Sequence, residues 1–226
     1  MTPAALLTLT AGAALLLAST GQARASVEAG EGAGFAFDLD TLQDRAETLF
    51  NTLTETPSTT DMTTAQQNMA AFLGMIRQAE GTANSADPYA VCYSYAHTIR
   101  NFANHPAITG EWRGERLPDA MCRNAGFGPG CVSTAAGAYQ IIKPTWLTIA
   151  AALGLPDFSP ASQDAACVEL VRRRGALEDV KSGRIATAIT KCRNEWASLP
   201  GNFAKQGQRS QGDLIAWYMQ NGGITA

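Results

Sequence analysis

The stretch AFLGMIRQAEGT, residues 71–82, sets the reading of the rest of the chain. Together with Met69 just before it, Phe72, Leu73 and Ile76 fall at i, i+3, i+4 and i+7, the spacing of one buried face of an α-helix. The helix is predicted over residues 67–80. Four residues beyond Ile76 the next position of that face is Glu80, a carboxylate where an apolar side chain would be usual. Gly81 follows as a natural residue for the turn that ends a helix. Partial burial and the negative end of the helix dipole both disfavour ionisation, so an enclosed Glu80 would hold its proton towards the range of a general acid. The competing reading is a frayed helix end that leaves Glu80 exposed and ordinary.

Downstream, aromatics, glycines and prolines crowd residues 88–137, with a β-prone patch at Val91–Tyr95; this region reads as a small irregular β lobe. Helices follow near residues 143–153, stopped by Gly154, and from Ser159-Pro160, an N-cap with proline at the first helical position, to Arg174 and Gly175. Another near residues 184–195 carries Ile185, Ala188, Ile189 and Cys192 on one face, and a last one over 212–221 is capped by Gly222. Residues 201–211 read as a polar loop. The expected fold class is α+β, mainly helical, with a small β lobe and a cleft between lobes.

Upstream, Ala4–Ala18 is an apolar run too short for a comfortable membrane span, followed by Ala23-Arg24-Ala25, a small-x-small cleavage pattern. Residues 1–25 are therefore expected to be a cleaved signal peptide, although the segment before the run has no Lys or Arg; an uncleaved, weakly anchored signal is the alternative. Residues 26–66 form an acidic leader, with one Lys or Arg against eight Asp or Glu, a net −7. It contains a short amphipathic pattern at Leu42, Ala46, Leu49, Phe50 and Leu53 and a Thr-rich linker. Residues 67–226, the expected catalytic domain, carry a net +3, which suits an anionic polymer and equally an ordinary surface.

Of the five cysteines, Cys122 and Cys131 enclose a turn-rich segment and are the expected disulfide. Cys167 and Cys192 lie in predicted helices, as a pair or as buried small groups. No CxxC or Cys/His pattern marks a metal site.

From Phe72 onward the chain resembles the lambda-type bacteriophage endolysins, a lysozyme-fold family of peptidoglycan lytic transglycosylases. The matching pieces fall in the family's order: the Glu-Gly-Thr of residues 80–82, Tyr89, Asn104-His105-Pro106, STAAGAYQI (133–141), DFSPASQDA (157–165), RGAL (174–177) and WASLPG (196–201). The resemblance implies that Glu80 is the catalytic acid and that the enzyme cleaves the β-1,4 bond between N-acetylmuramic acid and N-acetylglucosamine to a 1,6-anhydro end. It implies no cofactor and no metal. Tyr139 and Gln140 are expected to contact the sugar, with Tyr139 in the interlobe core as the alternative. Tyr89 and His105 are further candidates, His105 also as a loop-ordering residue, and Asp164 is expected to be structural, in a first helical turn. Ala90 and Ala138 depart from the family's pattern, where an acid and an Arg occur, and residues 114–131 look like an enlarged loop. The expected partners are peptidoglycan glycan strands, with no nucleic acid and no stable membrane span after cleavage, acting as an exported, periplasmic or extracellular monomer. A hydrolytic lysozyme drawing on Asp87, Glu111, Glu115 or Asp119, and an inactive cell-wall-binding protein, are the alternatives.

Overall fold

The computed structural model describes residues 62–124, 126–202 and 207–226. The signal peptide, the leader and its amphipathic pattern lie outside them.

The fold is built around helix α1 (Thr64–Ala79). It starts three residues before the predicted position because Thr63 closes a capping box, its hydroxyl accepting from the Gln66 backbone N–H at 3.3 Å. Phe72, Leu73 and Ile76 are buried as the periodicity requires, but so are Ala71, Met75 and Ala79, while Met69 is only partly buried. The helix is thus enclosed on more than one face and forms the centre of the core.

The region read as a β lobe contains little sheet. Proline-led α2 (Pro106–Thr109) is followed by β1 (Glu115–Arg116), α3 (Asp119–Asn124) and β2 (Val132–Ser133). The two strands pair antiparallel, Glu115 opposite Ser133 and Arg116 opposite Val132. The β-prone patch at Val91–Tyr95 does not form a strand. Val91 and Cys92 make only isolated bridges to Thr98 and Ala136. The chain then folds into a tight turn in which Ser94 and Tyr95 take left-handed φ values of 55° and 59°. Left-handed backbone cannot continue a ladder, so β propensity there is overridden by the turn. The enlarged loop is closed by a bond between Cys122 and Cys131, with Cα atoms 5.7 Å apart.

The remaining helices are α4 (Lys143–Leu153), α5 (Pro160–Arg173), α6 (Leu177–Lys181), α7 (Ile185–Cys192) and α8 (Gln211–Gln220). Ser159 caps α5 through the Ser162 N–H, and Ile185, Ala188, Ile189 and Cys192 form the buried face of α7. Helix α6 had no separate signal in the periodicity, and α7 is shorter at both ends than predicted. Cys92, Cys167 and Cys192 are buried free thiols, so the two helical cysteines act as small core groups. The core runs from Phe72, Met75 and Ile76 to Leu214 and Tyr218 on α8, and to Trp146 and Phe158, whose rings meet edge to face at 4.7 Å. Among the described residues no helix is long and apolar enough to cross a membrane.

Candidate active site

Glu80 is the C-cap of α1, its N–H still donating to Ile76 O at 2.9 Å. The helix does not fray before it. The next residue, Gly81, turns the chain with φ 79°, a conformation that removes Glu80's neighbour from the helix and lets the side chain project from its end. The Ser198 hydroxyl donates to Glu80 Oε1 at 2.6 Å. Ser198 is itself buried, and its carbonyl accepts from the Arg209 N–H at 2.8 Å. Arg209 also donates from Nε to Ala79 O at 3.2 Å and lies over the Trp217 ring at 5.8 Å. Burial is the largest influence on the Glu80 carboxyl and pushes it up to about 7, against the Ser198 hydrogen bond and the positive charge of Arg209, which pull it down. Glu80 nevertheless keeps part of its surface open to solvent. A carboxylic acid that keeps its proton near neutrality can deliver it to an oxygen bound against it.

Thr82 completes the Glu-Gly-Thr motif. Its hydroxyl donates to Ala138 O at 2.7 Å and joins the end of α1 to the AGAYQ segment. Gly137 in that segment has φ 76°, and a Cβ there would stand 2.1 Å from Gln163 Oε1. That oxygen accepts from the Ala138 N–H at 2.8 Å, so only glycine lets α5 clamp the segment this closely.

The expected sugar contacts are distributed differently. Tyr139 is 1% exposed and packs in the core, which answers the alternative in favour of packing. Its hydroxyl donates to Asp164 Oδ1 at 2.5 Å and accepts from Arg77 at 2.9 Å. Tyr89 is brought beside it, ring centroids 6.4 Å apart, and donates to the same Asp164 oxygen at 2.9 Å. Both hydroxyls are occupied within the protein, so neither tyrosine is placed to hold a glycan through its OH. Gln140 is also turned inward: its Nε2 donates to Gly137 O at 3.0 Å and Val91 O at 3.2 Å, holding a left-handed turn. His105 is fully buried and orders its loop, Nε2 meeting Ile141 O at 3.0 Å and Nδ1 accepting from the Ala107 N–H. Desolvation lowers its pKa to about 4, which keeps the ring neutral. Asp164 is structural, but not through the helix dipole: it lies beyond the first turn of α5 and receives the two tyrosine hydroxyls. Ala90 and Ala138 are buried, so the departures from the family pattern present no side chain to solvent.

Ser198, Arg209 and Arg77 were missed by sequence reasoning. Ser198 stands inside WASLPG, where a signal existed without a role. Arg209 lies in a stretch readable only as polar loop, and nothing local ties it to residue 80.

A glutamate whose carboxyl is pushed up to about 7 at the end of a buried helix, beside a small irregular lobe, is an arrangement that fits a lysozyme-like protein. A solved structure of bacteriophage lambda lysozyme complexed with a chitohexasaccharide superposes on the chain with a TM-score of 0.60 at 32% identity, covering 74% of this chain and 99% of that one. A second lambda lysozyme structure gives 0.55 at 29% identity, with the same coverage. The endolysin family model matches residues 70–225, and the chain belongs to the endolysin family. The endolysin of Escherichia phage P2 is 38% identical over 160 residues, 71% of this chain and 96% of its own length. That of Escherichia phage lambda is 35% identical over 153 residues, 68% and 90%.

Proposed function

We propose that the chain cleaves the glycan strands of peptidoglycan as a lytic transglycosylase, with Glu80 as the sole acid and base. The observation that carries the reading is the enclosed Glu80 carboxyl at the end of α1, held protonated to about 7. Glu80 gives its proton to the bridging oxygen as the bond from muramic acid C1 to that oxygen breaks. The carboxylate then takes the proton of the muramic acid's 6-hydroxyl as that oxygen bonds to C1. The nucleophile is carried by the substrate, so a single carboxylate suffices. Of the carboxylates a hydrolytic route could draw on, Glu111 is the most fully engaged within the protein. Asp87 accepts from the Tyr89 N–H, Asp119 from the Gly130 N–H, and Glu111 from His97, the Arg100 N–H and the Asn101 N–H. The signal-like residues 1–25 support action outside the cytoplasm.

Digestion of purified peptidoglycan, followed by mass analysis, tests this. Anhydro ends, each one water lighter than hydrolytic ends, are expected, and Glu80→Gln should lose all muralytic activity while remaining folded. Reducing ends would favour the hydrolytic route, and lysis by Glu80→Gln would reject the role of Glu80.

A further inference from the structure

Two consecutive non-glycine residues, Ser94 and Tyr95, hold left-handed backbone at φ 55° and 59°. Such conformations are unfavourable for side chains with a Cβ and persist only where surrounding structure imposes them. Here the surroundings do so. The Tyr95 N–H donates to Cys92 O at 2.9 Å, the Tyr93 N–H to Ala135 O at 2.8 Å, and buried Cys92 bridges to Ala136. The turn is thereby fastened to the segment that Thr82 ties to the end of α1.

The strained backbone supports an aromatic that the core does not use. Tyr95 is 57% exposed, although its hydroxyl donates to Gly81 O at 2.5 Å. The tip of the side chain is anchored on the residue directly after Glu80, and much of its surface is left to solvent. A buried tyrosine would explain itself by packing, and a free surface tyrosine would need no strained turn. A solvent-facing ring fixed to the residue that follows the acid matches what is needed to receive the apolar face of a pyranose.

We propose that Tyr95 is a substrate-positioning residue, its ring the stacking platform for an N-acetylated sugar at the mouth of the Glu80 site. The proposal rests on the glycan reading above. The hydroxyl sets the ring's position by its bond to Gly81 O, and the ring supplies contact area with few rotatable bonds to order.

The test uses chitohexaose and full-length protein carrying Glu80→Gln, so that binding is measured without turnover. Tyr95→Gly suits the left-handed backbone and removes the ring without adding strain. It is expected to weaken chitohexaose binding by about tenfold in calorimetry, while melting no earlier than its parent. Tyr95→Phe keeps the ring but loses the bond to Gly81 O, and should bind more tightly than Tyr95→Gly and less tightly than the parent. In the active enzyme, on peptidoglycan, Tyr95→Gly should raise KM with little change in kcat, and the KM of Tyr95→Phe should fall between those of Tyr95→Gly and wild type. Equal affinity with and without the ring overturns the Tyr95 proposal alone. No binding of chitohexaose by the Glu80→Gln parent overturns the glycan reading and the proposal with it.

Discussion

Replacing Glu80 by Gln should make the protein more stable, by an amount that grows with pH. The folded protein holds the Glu80 proton up to about 7, whereas an ordinary glutamate releases it near 4.5. Between those values the unfolded state binds fewer protons than the folded state, so stability falls as pH rises across the window. About two and a half pH units at about 1.36 kcal/mol each gives an upper bound of about 3 kcal/mol, reached above pH 7. Partial solvent access of Glu80 brings the expected figure to about 2 kcal/mol. Glutamine cannot ionise and can still accept the Ser198 hydroxyl, so the variant escapes this cost. Thermal unfolding followed by circular dichroism, with the disulfide intact, should show no difference from wild type at pH 4. At pH 8 the variant should melt roughly 4–8 °C higher, given about 2–4 °C per kcal/mol for a domain of this size. His105 titrates in the opposite sense: its folded pKa of about 4 lies below its ordinary 6.5, so its contribution is full above 6.5 and is lost as pH falls towards 4. It is present in both proteins and cancels in the difference. A melting difference that stays flat from pH 4 to pH 8 would refute the enclosed, proton-holding Glu80.

Removing the Ser198 hydroxyl with Ser198→Ala takes away a bond that lowers the Glu80 pKa. The alkaline limb of the activity profile should therefore move to higher pH, and an unmoved limb would separate that limb from Glu80. Gly137→Ala forces a Cβ against Gln163 and a left-handed φ on alanine; a loss of roughly 2–3 kcal/mol in urea unfolding is expected. Cys92, Cys167 and Cys192 are buried free thiols, and burial pushes Cys92 and Cys192 up to about 12 and Cys167 also upward. A thiol reagent should find none of the three in the native, unreduced protein and all three after denaturation.

Helical periodicity located the apolar run of α1 and marked Glu80 as unusual, because the period of a helix is a local property; it left a frayed, exposed end open, and the resemblance to the endolysins carried the choice of Glu80. The Ser159-Pro160 start of α5, the Gly154 stop of α4 and the buried face of α7 are legible for the same reason: caps and faces depend on residues a few positions apart. The β-prone patch at Val91–Tyr95 forms no strand because strand formation depends on a partner, and the chain there is held in a left-handed turn by contacts with residues 135 and 136. What only the tertiary structure decided is which polar groups meet. Ser198 reaches Glu80 across 118 residues of sequence, and Arg209 reaches the Ala79 carbonyl across 130. The AGAYQ segment and His105 carried a family signature but turn their side chains into the protein, since every buried hydroxyl, amide and imidazole must find a partner there. Pattern marks a residue as unusual for its position; whether it faces substrate or core depends on distant chain segments that close around it.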